Sequence, residues 1–252
     1  MDLTELLNTF DEQTNEALFS LDKSEYLDLD SFSILTRKNF GSNFAVFSLN
    51  IRSLPNKINQ FINILSHLDN LPSVICIQEI WSSHSNLELP GYHPLEFYSR
   101  DRDGPANPNC GGGVGIFVRN DLNYHLIDIK NSVVKGVIES IWVKISTKNG
   151  NNKIIGCVYR PNTAPLACAT KFNNTLEGIL THIKGKFGRD NITVAGDFNL
   201  DLFKYDSHKQ TGEFLSLMFG QGLLPIITKP TRISNNSCTL IDNIFTDSYN
   251  VF

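Results

Sequence analysis

The chain has 252 residues, 41% of them hydrophobic, 19% charged and 10% aromatic. That apolar content excludes disorder as a description of the whole chain, and no apolar run approaches the roughly 20 residues that a membrane-spanning helix needs. The net charge of −4 is uneven: residues 1–40 hold nine acids against three bases, which leaves the other 212 residues at +2 and open to an anionic partner.

Residues 1–42 read as an acidic, partly ordered leader with a helix over about Leu3–Leu21, and residues 43–252 as one domain. Asp2, Glu5, Asp11 and Glu12, with no basic run, argue against a secretory signal. Five cysteines without C-x-x-C spacing read as reduced thiols of an intracellular protein. From Phe44 the texture changes. Phe44–Ile51 is a strand-length apolar run, and Ile58, Phe61, Ile62, Leu65 and Leu68 then recur at helical spacing. Ser73–Ile80 is a second strand. Tyr98–Gly113, rich in Arg, Asp, Gly, Pro and Asn, reads as a long functional loop whose Arg100 and Arg102 could meet nucleic-acid phosphates. Strands follow at Val114–Val118, Ser140–Ser146 and Lys153–Tyr159, then a helix carrying Phe172, Leu176, Ile179, Leu180 and Ile183 on one face. Asn191–Asn199, a short helix near Glu213–Phe219 and the run Thr239–Thr246 complete the chain. Strand pairs joined without a helix, mixed with helices, predict an α/β fold of two packed mixed sheets covered by helices.

Four apolar strands close on carboxylate or amide residues: Leu49-Asn50, Ile77-Gln78-Glu79, Gly196-Asp197-Phe198-Asn199 and Leu240-Ile241-Asp242-Asn243. Strand ends gather at one rim of a sheet, so these oxygens can converge although they are far apart in sequence. Oxygen ligands without His or Cys suit a hard cation such as Mg²⁺, which takes one or two carboxylates and keeps other positions for water and phosphate. Turn initiation by Asp and Asn is the competing explanation for any one of the four.

Together with Ile51-Arg52-Ser53, Gly111-Gly112-Gly113-Val114-Gly115 and Val158-Tyr159-Arg160-Pro161, these segments resemble, in order, the endonuclease/exonuclease/phosphatase superfamily. More narrowly, the chain looks like the apurinic-endonuclease-like domain of LINE-type (jockey-like) non-LTR retrotransposons over about residues 44–246. The resemblance implies a four-layer α/β sandwich of two mixed β-sheets flanked by helices. It also implies a Mg²⁺-dependent phosphodiesterase, with Mn²⁺ as a substitute, that nicks DNA in the nucleus and leaves a 3′-OH. By the same resemblance Glu79 and Asn50 hold the metal, Asp197 orients or deprotonates the attacking water and Asn199 holds the scissile phosphate. Tyr159 contacts the phosphate, with Asn162 as a further candidate, and Asp242 orients a catalytic histidine. Repair relatives carry an acid where this chain has Arg52. A Ser-Asp-His triplet expected after Asp242 is absent, none of the six histidines follows Asp242, and the domain is expected to lack its last strand and to be weakly active or inactive. A catalytically dead remnant or nucleic-acid-binding module, and a small-molecule or lipid phosphodiesterase or phosphatase of the same fold, are the alternatives. No protein partner is implied.

Overall fold

The computed structural model describes residues 24–39, 44–82, 87–98, 111–147, 150, 152–162, 167–188, 190–235 and 237–248. The helix expected over Leu3–Leu21 and the loop residues Arg100 and Arg102 lie outside them.

One sheet holds β1 (Val46–Asn50), β2 (Val74–Gln78), β3 (Glu96–Tyr98) and β4 (Val114–Val118) in the order β1-β2-β4-β3, with β1 parallel to β2 and the other pairs antiparallel. The second contains β5 (Asn123–Leu126), β6 (Val133–Val134), β7 (Ile138–Ser146), β8 (Lys153–Tyr159), β9 (Asn191–Asp197), β10 (Leu224–Pro225) and, from the end of the chain, Asp242–Thr246. A two-stranded clasp, β11 (Arg232–Ser234) and β12 (Ser237–Thr239), immediately precedes that last strand, β13. The order in the second sheet is β10-β13-β9-β8-β7-β5, with β6 on β7, and β8 and β9 run parallel.

The alternation of side chains explains the stacking. Along β2, Val74 and Cys76 enter one apolar cluster while Ile75 and Ile77 enter another, and all four are fully buried. Val74 and Cys76 meet Val143, Ile145, Ile155, Cys157 and Ala195 of the second sheet, so the two sheets pack face to face. Ile75 and Ile77 face the helix α2 (Leu54–Ser66), whose Phe61 and Leu65 recur at helical spacing as the sequence predicts. Helix α1 (Leu29–Asn39) adds Phe32 to that layer, with its ring 5.3 Å from Phe47. On the far side, α3 (Ala167–Phe187) and α4 (Lys209–Gly220) cover the second sheet through Phe172, Leu176, Leu180, Phe214 and Met218. The result is the four-layer α/β sandwich: helices, sheet, sheet, helices.

Phe198, Phe214 and Phe245 form a ring triad with centroids 5.0–5.5 Å apart, directly behind the end of β9. Phe214 is fully buried at its centre. Phe214→Ala is expected to cost about 3–5 kcal/mol of stability, through lost burial plus the cavity left behind, as read from chemical denaturation.

Candidate active site

The parallel pairs β1–β2 and β8–β9 place four strand ends at one rim, where the layer between the sheets opens. In register, Asn50 stands opposite Gln78, and Asp197 opposite both Tyr159 and Asp242. Of the groups predicted from strand ends, Asn50, Glu79, Asp197, Asn199 and Asp242 therefore come together, whereas Gln78 turns to Ser48 and Cys157 between the sheets and Asn243 bonds the Ile227 backbone. The Asn50 side chain sits at the junction: its Nδ2 donates to Glu79 Oε1 at 2.7 Å and to Asp197 Oδ2 at 2.8 Å, linking the two sheets. The Tyr159 hydroxyl donates to the same Glu79 oxygen at 3.3 Å. Asn50, Glu79 and Asp197 line a pocket of about 480 Å³ that also takes in Arg52, Asn162, Asn199, Thr231, Arg232 and Asp242, with the buried Tyr159 behind Glu79.

The backbone that delivers Glu79 is unusual. As the chain leaves β2, Glu79 and Trp81 adopt left-handed conformations with φ of 55° and 53°, each costing on the order of 1–3 kcal/mol for a non-glycine residue. Hydrogen bonds on both sides hold this shape. Ser53 and Leu54 N–H donate to the carbonyls of Glu79 and Ile80 at 2.8 and 2.9 Å, while Ile80 and Trp81 N–H donate to Gly113 and Gly112 at 3.3 and 3.0 Å. Behind Gly113, whose φ of 88° suits a glycine, the buried Glu139 accepts from the Gly113 N–H at 2.6 Å. Gly112 and Gly113 thus serve as the clamp on the Glu79 segment.

Asn199 is also left-handed, with φ of 47°. Its N–H caps Asp197 Oδ1 at 3.0 Å, and its Nδ2 donates to the Arg160 carbonyl at 2.7 Å. Arg160 answers with Nη1 to the Asn199 carbonyl at 3.1 Å. Asp242 accepts from the Thr231 hydroxyl at 2.8 Å, a contact that sequence reasoning missed because Thr231 precedes a short exposed strand with no apolar period.

Burial dominates the electrostatics. It pushes the Asp197 carboxyl up to about 7, aided by the charge of Asp242 and opposed by the hydrogen bonds from Asn50 and Asn199. Burial raises Asp242 too, against the Thr231 hydrogen bond and the nearby charges of Arg232 and Arg52. Tyr159 is held above the ordinary phenol range by burial and by the carboxylates around it, so it stays protonated and can donate.

Among the described residues no three His, Cys, Asp or Glu side chains form a ready-made metal cluster. A hard cation that keeps most of its waters needs fewer protein ligands. Asn50 Oδ1 is buried with no hydrogen-bond partner, while its amide nitrogen is fully engaged. One orphaned amide oxygen beside the Glu79 carboxylate is a donor set that fits Mg²⁺. No histidine lines the pocket among the described residues; His208, at the start of α4, pairs with Thr211 at 2.8 Å. Asn162 is on the pocket wall and exposed.

A family model described as Endonuclease/Exonuclease/phosphatase family matches residues 47–252. No curated protein sequence matches the chain. Among solved structures, the endonuclease domain of TRAS1, a telomere-specific non-LTR retrotransposon, superposes with a TM-score of 0.57 at 14% identity, covering 81% of this chain and 84% of that one. The human Nocturnin catalytic domain gives 0.59 at 16% identity, with 81% and 82% covered. The Xenopus laevis APE2 catalytic domain gives 0.55 at 15%, again with 81% and 82% covered. At these identities the likeness shows the fold.

Proposed function

The chain belongs to the endonuclease/exonuclease/phosphatase family, whose members hydrolyse phosphodiester bonds, and from that premise we propose that its pocket is the active centre of a metal-dependent DNA-nicking endonuclease of a non-LTR retrotransposon. The observation that carries this reading is the bridge made by Asn50, which ties Glu79 of one sheet to Asp197 of the other and leaves its own oxygen free in the pocket.

Glu79 and Asn50 Oδ1 would hold Mg²⁺, or Mn²⁺ in its place, and the bound ion supplies positive charge for the phosphoryl oxygens. Asp197, fixed by Asn50 and the Asn199 N–H, orients a water against the phosphorus and takes its proton. Tyr159 and Asn199 border the space where the phosphate sits, and Tyr159 donates through its hydroxyl. Asp242 holds Thr231 and the clasp beside the pocket. With no imidazole on the pocket wall among the described residues, protonation of the leaving oxygen falls to water, which lowers turnover by about 10²–10⁴-fold relative to a site with a positioned acid.

Supercoiled plasmid incubated with Mg²⁺ is expected to relax slowly, EDTA to stop the reaction, and the nicks to be extendable by a polymerase without prior phosphatase treatment. Nicks that need end repair, or faster hydrolysis of inositol phosphates than of DNA, would refute the reading. That no imidazole lines the pocket among the described residues favours one second reading, a nucleic-acid-binding module without turnover. That protein would take up Mg²⁺ in a calorimetric titration and retard DNA on a gel, yet leave the plasmid supercoiled.

A further inference from the structure

Five arginine side chains lie among the described residues, and their bonding divides them. Arg37 pairs with Asp69, Arg119 with Asp121, and Arg160 donates to the Asn199 carbonyl. Arg52 and Arg232 make no hydrogen bond and close no ion pair among the described residues, and these are the two that line the active-site pocket.

Both are rooted firmly. Arg52 and Ser53 are consecutive left-handed residues, with φ of 47° and 80°, at a bend where glycine would carry no steric penalty. The bend is fixed by Ile51 N–H to the Gln78 carbonyl at 3.1 Å and Ser53 N–H to the Glu79 carbonyl at 2.8 Å, so Arg52 springs from beside Asn50 and Glu79. Arg232 starts the β11–β12 clasp, where Thr231 N–H donates to the Thr239 carbonyl at 3.0 Å and the Thr231 hydroxyl to Asp242. Both guanidiniums are close enough to Asp242 to counter the effect of burial on it.

A pocket carrying Glu79, Asp197 and Asp242 repels a phosphodiester, and like charges at close range in a partly buried site are costly. Two guanidiniums on the pocket wall, with no bond among the described residues, are the protein's own counterweight. Arginine's planar fork matches phosphate oxygens in pairs. We propose that Arg52 and Arg232 form a two-point phosphate cradle, Arg52 on the phosphate under attack and Arg232 on a neighbouring one. The substrate is then a polynucleotide backbone rather than a compound with a single phosphate. The inference rests on the phosphodiesterase reading above and extends it to the substrate.

The test is fluorescence anisotropy of a short labelled DNA duplex in Mg²⁺, made in an Asp197→Asn background so that the DNA stays intact. Arg52→Ala and Arg232→Ala are each expected to weaken binding roughly three- to tenfold and to lower the slope of log affinity against log salt by about 1, and the double variant by about 2. Arg52→Lys should keep the slope. Thermal midpoints should fall only slightly, because neither guanidinium makes a hydrogen bond or closes an ion pair among the described residues and each only offsets the charge of Asp242. A double variant with parental affinity and slope overturns the cradle. Plasmid nicking by the wild-type chain separates this from the catalytic reading. Loss of binding in the arginine variants with no nicking by the wild type sinks the catalysis and keeps the cradle; nicking with unchanged binding in the variants does the reverse.

Discussion

Asp197→Asn is expected to lower plasmid nicking by about 10²–10⁴-fold and, in the same metal-free protein, to raise folding stability near neutral pH by about 1–2 kcal/mol. Asp197 is almost wholly buried, shares the pocket with Asp242 and Glu79, and has no cation bonded to it among the described residues. The amide keeps the size and one acceptor oxygen for Asn50 or the Asn199 N–H, and removes a charge that burial disfavours. The sign of the pH dependence follows from the same group. The folded carboxyl sits at about 7, whereas an unfolded aspartate titrates near about 4. Between these values the folded state binds the extra proton. Stability is therefore fully present below about pH 4, falls as pH rises to about 7, and is flat above that. Asp242, also raised by burial, acts in the same direction. Urea denaturation in EDTA at about pH 5 and about pH 8 checks this: the wild type should lose stability between the two, and Asp197→Asn should lose less. Added Mg²⁺ should restore wild-type stability at the higher pH by binding the folded state. A variant less stable than the wild type at both pH values would mean that the hydrogen bonds to Asp197, and not its buried charge, dominate.

The residues that make this trade were legible in the sequence because strand and site share one signal. An apolar run such as Ser73–Ile80 or Asn191–Asn199 marks a strand, and the polar residue ending it marks the rim. Parallel pairing then brings distant rims together, and the bridge through Asn50 confirms that Glu79 and Asp197 share one place. The strands missed are short: β3, β5, β6, β10, β11 and β12 have two to four residues, too few to show a period. Helix α1 was masked by its acidic surroundings, although Phe32 and the fully buried Thr36 show that it packs. Local backbone was not legible either. Nothing in Gln78-Glu79 or Phe198-Asn199 announces a left-handed residue, because those conformations are imposed by hydrogen bonds with Ser53, Gly113 and Arg160, all remote in sequence. Arg52 was readable by the resemblance as a residue standing where repair relatives carry an acid; that its guanidinium makes no bond among the described residues and lines the pocket is a property of the fold.

The second large effect concerns Gly196, the residue before Asp197. In β9 it lies between Val158 of β8 and Asn243 of β13, hydrogen-bonded neighbours on either side. A Cβ at this position would sit 1.8 Å from the Val158 carbonyl oxygen and 2.8 Å from its carbon. Both obstacles are backbone in the middle of a ladder, so no side chain can turn aside to make room. Gly196→Ala must push β8 and β9 apart where Tyr159 and Asp197 are paired. The expected loss is at least about 3 kcal/mol, at the upper end for an overpacked core, together with loss of nicking and of Mg²⁺ uptake. Gly178→Ala is the matched control. Gly178 is in the middle of α3, exposed, with nothing within 4 Å of the point where a methyl group would sit, so alanine there should stabilise by about 0.5–1 kcal/mol through helix propensity. Denaturation midpoints at constant slope decide the matter. A Gly196→Ala protein with the wild-type midpoint would mean that β8 and β9 are not spaced as described, and the convergence of Tyr159, Asp197 and Asp242 would lose its structural basis.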